Sequence, residues 1–360
     1  MVTMPVPFVT QVLNTSTNYP PANLTSKCSM PYDEDRVPLM ILYSMVFVVG
    51  VPANFATFLL TMQQVRRANV LGIYLFSLSV CDLMYLCTLP LWALYIYRGH
   101  SWVWGSTACK WTGYIFFNNM YISVFLLCCV SVDRYVAVVY SLESRGIRRP
   151  KQAWMITMVI VVIVALGHLP VFTMEEGDAD SETQQRCFEP GQTTAMVTGF
   201  NYARVLIGFL IPFFILVFTN RTILSSIQAS NSIKPKQKAK VRRLALAVVV
   251  FFLVCFAPYH VILLTRAISF HTVSDKCHFD RGIYTPYSIF LGFSTINSAM
   301  NPILYVLSSD NIRKEVRRGL SSVRSWRSSQ RPQVSESSGQ LREMSAVSRH
   351  VSAIQINNCL

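Results

Sequence analysis

Charge is what this chain has least of: 14% of its 360 residues are charged, 52% are hydrophobic and the mean hydropathy is +0.37. Such a balance excludes a soluble domain built around one core. Acids are scarcer than bases, 18 against 32, for a formal net charge of +14. Reactive motifs are missing as well. Neither H-E-x-x-H nor G-x-S-x-G occurs, so the chain is expected not to be an enzyme. No internal repeat is visible, which weighs against a membrane transporter or channel, the main alternative from another class. The stretch from Ile283 to Leu307 holds no lysine, which excludes a retinal Schiff base there. Met1 to Thr10 lacks a basic n-region and a clean apolar h-region, so no cleaved signal peptide is expected and the first span serves as the anchor.

What is abundant is apolar sequence in long runs. Seven are long enough to cross a bilayer: Val37 to Met62, Val70 to Tyr95, Ala108 to Val139, Gln152 to Thr173, Gly199 to Ile227, Val241 to Ile268 and Ile283 to Leu307. They predict an all-α fold, a seven-transmembrane helix bundle. The bases cluster in alternate loops, as Arg66 and Arg67, then Arg145, Arg148, Arg149 and Lys151, then Lys234 to Arg243, then Arg313 to Arg318. The positive-inside rule makes those loops cytoplasmic and the N-terminus extracellular. Positive charge distributed this way points to a membrane and not to nucleic acid. Acids fall on the other side, Asp33 to Asp35 and Glu175 to Glu189, and the sequons at Asn14 and Asn23 lie in the same outer tail as glycosylation acceptors. After the last span, Ile312, Val316 and Leu320 recur every four residues among Arg313, Lys314, Arg317 and Arg318, which predicts a short amphipathic eighth helix on anionic lipid. The expected division is an outer tail (1–36), a receptor-like bundle (37–307), the amphipathic helix (308–320) and a serine-rich, disordered cytoplasmic tail (321–360).

Five cysteines, Cys81, Cys87, Cys128, Cys129 and Cys255, fall inside spans and read as small core residues. Cys28, Cys109, Cys187 and Cys277 fall outside, in an oxidising compartment. Pairing Cys109 with Cys187 ties the loop after span four to the top of span three, and Cys28 is left for Cys277.

Polar residues within spans are costly, so each needs a reason. Asp82 lies mid-span, with Asn54 and Asn301 expected at a similar depth. Two readings stand: hydrogen-bonded glue for the bundle, or a small-cation or proton site. Arg204 sits in the outer half of span five with no acid in its own span. A guanidinium keeps its proton, so it either snorkels to loop acids or faces inward and grips an anionic head group through forked hydrogen bonds. Arg266, at the outer end of span six, either assists or is a solvated helix end. Aromatics crowd that half of the bundle, among them Trp92, Phe117, Tyr121, Tyr202, Tyr259 and Tyr287, with His260 adjoining. Packing accounts for most of them, and below an arginine they also make a pocket for an acyl chain. Pro258 and Pro302 are the expected hinges.

At the other face, about 38 Å from Cys109 at a helical rise of about 1.5 Å per residue, stands Asp133-Arg134-Tyr135. An acid beside an arginine at a helix end is either a closed ion pair or an opened anchor. Together, Asn54, Asp82, Cys109, Asp133-Arg134-Tyr135, Trp154, Cys187, Pro212, Phe256-Ala-Pro-Tyr259 and Asn301-Pro302-Ile-Leu-Tyr305 resemble the rhodopsin-like (class A) G-protein-coupled receptors over roughly Arg36 to Gly319. The stretches Thr88-Leu-Pro-Leu-Trp92 and Cys255-Phe-Ala-Pro-Tyr-His260 are similar to the proton-sensing and lysolipid-linked subfamily. That resemblance implies a plasma-membrane receptor that activates heterotrimeric G proteins. Its ligand would be an oxidised fatty acid or lysophospholipid, with protons as a second stimulus or, in the alternative, the primary one. It implies that Arg134 opens from Asp133 to receive the G protein, that Tyr305 and Pro302 support the opened state, that Asp82, Asn54 and Asn301 form the ion site (sodium), and that Arg204 holds lipid carboxylates. Arrestin is the expected partner of a phosphorylated tail. His100, His168, His260, His271 and His278 are the titratable candidates for proton sensing. Two departures stand out. Phe256 replaces the tryptophan usual in the class, and Asn220 replaces a tyrosine.

Overall fold

The computed structural model describes residues 30–140, 143–172, 186–187, 194–230 and 235–308. The sequons at Asn14 and Asn23, Cys28, the eighth helix and the tail after it lie outside the described residues. The described residues are helices and loops without a strand, arranged as a seven-helix bundle. Helix α1 (Arg36–Arg66) is span one, and α2 (Val70–Leu86) with α3 (Leu89–Tyr97) is span two. Span three is α4 (Gly105–Val139); a single turn, α5 (Ser144–Ile147), leads to α6 (Pro150–Gly167), span four. Span five is α7 (Ala195–Val205), a π-turn (Leu206–Leu210) and α8 (Ile211–Ala229), span six is α9 (Pro235–Thr272), and span seven is α10 (Lys276–Ser294) with α11 (Ile296–Ser308). Six of the spans are long and apolar enough by themselves to cross a membrane, and their lipid-facing side carries exposed Val, Ile, Leu, Met and Phe, such as Ile41, Met45, Val48, Met158, Ile163, Phe214 and Val254.

Local chemistry sets the boundaries. Asn69, Thr194 and Asp275 accept from the backbone amides of Gly72, Val197 and His278, capping α2, α7 and α10. Within the spans, hydroxyls of Thr57, Ser77, Thr112, Thr219 and Thr265 donate back to carbonyls one turn earlier, so a polar side chain is satisfied without leaving its own helix.

Prolines shape the rest. Pro212 has no N–H for the carbonyl of Gly208, four residues back, and there the helix widens into the π-turn. Pro302 leaves the Ser298 carbonyl free in the same way, and the Asn54 amide donates to it across the bundle at 2.7 Å. Span seven was expected as one run, yet it breaks at Thr295. Ser294 and Thr295 turn their hydroxyls back to Leu291 and Gly292 at 2.6 and 2.7 Å, competing with the helical ladder. Pro258, by contrast, sits in a continuous α9.

Cys109 and Cys187 form a disulfide with Cα atoms 5.6 Å apart, closing 78 residues of chain. The Cys187 amide donates to the Tyr95 hydroxyl at 3.3 Å, so the pinned loop also rests on span two. Cys277 is disulfide-bonded as well. Cys109→Ala is expected to lower stability by roughly 2–4 kcal/mol, read as an earlier thermal transition of the solubilised protein; a transition unchanged from wild type would show that the loop is held by packing alone.

Candidate functional site

Three polar layers interrupt the apolar bundle. The first, nearest the disulfide, centres on Arg204. Its guanidinium, half-buried, lies 4.4 Å from the Phe117 ring centroid, and Tyr121, Tyr259 and Tyr287 are the groups that act on its charge. Among the described residues no carboxylate pairs with it. The Tyr259 hydroxyl beside it is buried with no formed hydrogen bond. Two histidines complete the layer. His168 stacks on Phe117 and on Tyr121 at 6.0 and 5.3 Å, and His260 stacks on Phe209 at 5.0 Å. Each is fixed through Nδ1, 2.9 Å from the Val164 carbonyl and 2.7 Å from the Phe256 carbonyl. A carbonyl only accepts, so Nδ1 carries the proton in both rings and Nε2 of each neutral ring is left as an acceptor. Nε2 of His260 stands 3.4 Å from the Tyr121 hydroxyl.

Sequence reasoning placed further residues in this layer, and the structure sorts them. Tyr287 packs on Tyr259 at 5.9 Å, and Trp92 packs on Phe116, which packs on Phe117. Tyr202 turns away, 38% exposed and stacked on His271. Arg266 is neither a solvated helix end nor a free helper. It is buried, 3.4 Å from Asp280 and 5.1 Å from the Tyr287 ring centroid, a pair that joins α9 to α10. Asp280 precedes the apolar run, which is why no pattern in the spans announced it. His168 is a second residue that periodicity missed as part of this layer, because it follows the last turn of α6 at Gly167.

Above this layer, His100 and Asp35 form a buried pair at 3.1 Å, with the Tyr284 hydroxyl 3.3 Å from the other ring nitrogen. Tyr32 lies on His100, and the Arg186 guanidinium lies 3.7 Å over Tyr32. The start of α1, the turn after α3, the disulfide loop and the top of α10 thus meet at one histidine.

The middle layer is Asp82. Asn119 and Asn301 donate to its two carboxylate oxygens at 3.0 and 2.8 Å, Ser123 donates at 3.5 Å, and Ser298 donates to Asn119 at 3.1 Å. Asn54 joins through the Ser298 carbonyl. The amide oxygens of Asn54, Asn297 and Asn301 are buried and unpartnered. One carboxylate among spare amide oxygens is a donor set that fits a hard monovalent cation such as sodium, which would draw Asp82, Asn301 and Asn54 together through oxygen.

The third layer is at the opposite end. Both Asp133 oxygens accept from Arg148, at 2.7 and 2.8 Å, in a forked contact from the turn between α4 and α6, a partner for the acid that the resemblance does not name. Tyr135 packs against Tyr140 and Phe218. Ser131 meets Thr219 at 2.6 Å, and Asn220 reaches Ser131 at 3.5 Å. Asn301 and Pro302 are buried nearby in α11, while the side chain of Tyr305 is outside the described residues.

A bundle of seven spans with a polar layer near the disulfide at one end and an acid–arginine–tyrosine tripeptide at the other has the build of a seven-transmembrane receptor. The chain belongs to the 7 transmembrane receptor (rhodopsin family), which it matches over residues 53–305. It is 46% identical to "Probable G-protein coupled receptor 132" of Mus musculus over 88% of this chain and 82% of that protein. It is 33% identical to "G-protein coupled receptor 68" of Bos taurus (82% and 81%) and 30% identical to "G-protein coupled receptor 65" of Homo sapiens (79% and 87%). It is a multi-pass membrane protein and not an enzyme.

Two outcomes follow from this geometry. Removing Arg148 leaves Arg134 as the cation beside Asp133, so Arg148→Ala is expected to lower ligand-independent nucleotide exchange roughly threefold to tenfold, the value of a charge-assisted bond; basal exchange equal to or above wild type would contradict the contact's role. At Asp280, burial holds the carboxyl above the usual carboxylate range, with Arg266 offsetting only part of that. The folded state therefore binds this proton more readily than the unfolded chain. Its contribution to stability is present at low pH and is lost as pH rises through the folded value. Relative to Asp280→Asn, the wild-type melting temperature should rise as pH falls from about 7 to about 5, and parallel curves would refute it.

Proposed function

We propose that this receptor reports an extracellular anionic lipid, of the oxidised fatty acid or lysophospholipid type, to heterotrimeric G proteins. The observation that carries the reading is Arg204: a permanent charge among aromatic rings and hydroxyls, with no carboxylate paired to it among the described residues. Stacking over Phe117 holds the guanidinium in place without using up its forked donors. An anionic head group satisfies those donors, Tyr259 adds an O–H, and the Nε2 acceptor of His168 suits a hydroxyl on the ligand. The acyl chain lies against Tyr287, Phe116 and Trp92.

In this reading the N-terminus and the disulfide are extracellular, in the plasma membrane, and the Asp133 end is cytoplasmic. Arg134 and Tyr135 present the G-protein surface, sodium at Asp82 favours the resting bundle, and arrestin follows phosphorylation of the tail. A second stimulus, protons, is favoured by one specific observation, the buried His100–Asp35 pair that joins three spans. Protonating His100 turns a hydrogen bond into an ion pair and tightens that joint.

Arg204→Ala is expected to raise the lipid concentration needed for half-maximal nucleotide exchange at least tenfold, roughly the 1.5–3 kcal/mol of a charged hydrogen bond, while acid-evoked signalling persists. Lipid responses left intact by Arg204→Ala, with purified G protein in nanodiscs, would sink the proposal.

A further inference from the structure

The anion could end the ligand molecule or sit within it, and the geometry below Arg204 distinguishes the two. Resting on the Arg204 reading, we propose that Gly208 and Tyr121 close the floor of the site and restrict it to lipids whose anion is terminal, a carboxylate, rejecting lipids whose anion is an internal phosphodiester.

Gly208 follows Arg204 by four residues in span five, and Tyr121 follows Phe117 by four in span three, so both lie about one turn below the guanidinium. There the two helices interlock. Gly208 is buried, and a methyl group on it would stand 2.8 Å from Tyr121 Cδ1, 3.3 Å from Cζ and nearer still to Cε1. The ring therefore fills the space that any other residue's Cβ would occupy. It has nowhere to retreat. His168 stacks on it at 5.3 Å with planes 20° apart, and His260 meets it edge-on at 6.0 Å. Both histidines are anchored to backbone carbonyls, and Phe209 backs His260. Spans three, four, five and six each contribute to one floor, and Tyr121 is 3% exposed.

A carboxylate bears carbon on one side only. It can end at Arg204, with its oxygens in the guanidinium fork and its chain leaving away from Tyr121. A phosphodiester bears carbon on both sides, the acyl glycerol and the head alcohol, so one substituent must enter the floor. Charge does not separate the two, since each is a monoanion; a phosphate monoester is disfavoured in addition, because Arg266, the other cation of this layer, is engaged by Asp280. Shape is the discriminator.

The full-length receptor in nanodiscs, with purified G protein, is titrated with a hydroxylated octadecenoic acid and with a lysophosphatidylglycerol carrying an octadecenoyl chain, a phosphodiester of the same charge. Wild type should respond to the acid at a concentration at least tenfold below that of the phosphodiester, and Tyr121→Ala, which opens the floor, should shrink that gap to about threefold or less. Gly208→Ala should weaken the acid response about tenfold, and adding Tyr121→Ala should restore it. Should Gly208→Ala fail to reach the membrane, the Tyr121→Ala titration decides alone. A wild-type preference for the phosphodiester, or a gap unchanged in Tyr121→Ala while Arg204→Ala still abolishes the acid response, overturns the floor and spares the Arg204 reading. An acid response that survives Arg204→Ala overturns the reading beneath it.

Discussion

A polar atom inside a bilayer has only the protein to bond with, and that constraint organises this molecule. Most of its intramembrane hydroxyls solve the problem locally, by returning to a carbonyl one turn earlier. Those that do not are where the chain does something. Asp82 gathers donors from spans three and seven, and Asn54 ties span one to the carbonyl that Pro302 sets free. The same proline that weakens span seven therefore supplies the acceptor that holds it to span one. The carbonyl that the proline frees is thereby kept from standing unpaired inside the membrane.

The ends of the receptor are joined by contiguous packing. His260 touches Tyr121 in the upper layer and bonds the carbonyl of Phe256 below it; Phe209 and Phe252 continue the stack toward Phe213. Cys128 donates to the Pro212 carbonyl at 3.8 Å, and one turn further Ser131 meets Thr219. Span five is thus held to span three on the inner side of its π-turn. Tyr121 packs on Gly208 in the segment where the helical ladder of span five is already interrupted.

Much of this was legible in residue order. Hydropathy gave the spans to within a few residues, loop charge gave alternation, and depth alone brought Asp82 beside Asn301. What stayed hidden follows from the limits of periodicity. The Asp133–Arg148 fork joins residues on either side of a loop, and Asp280 precedes the run that flags span seven, so neither lies on a helical face that a pattern could reveal. The break at Thr295 comes from hydroxyls competing with the backbone, an outcome that Ser and Thr do not dictate, since the same residues elsewhere leave α1 and α4 unbroken. The interlock of Gly208 with Tyr121 is invisible because a glycine announces permission and not its beneficiary.

The guanidiniums make the closing point. Arg148 and Arg266 each find a carboxylate close by, Asp133 and Asp280, and both contacts fasten one element to another. Arg204 has no acid within its span and is held instead by the quadrupole of Phe117 and by phenol oxygens. Aromatic faces stabilise a cation without neutralising it, so they position a charge and leave its hydrogen-bonding fork to be completed. A carboxylate beside Arg204 would make the bundle tighter and the site inert. In the proposed reading an anion from outside completes that fork and recovers what a charge costs in a medium of low dielectric, so that ligand binding and bundle stability are one free energy.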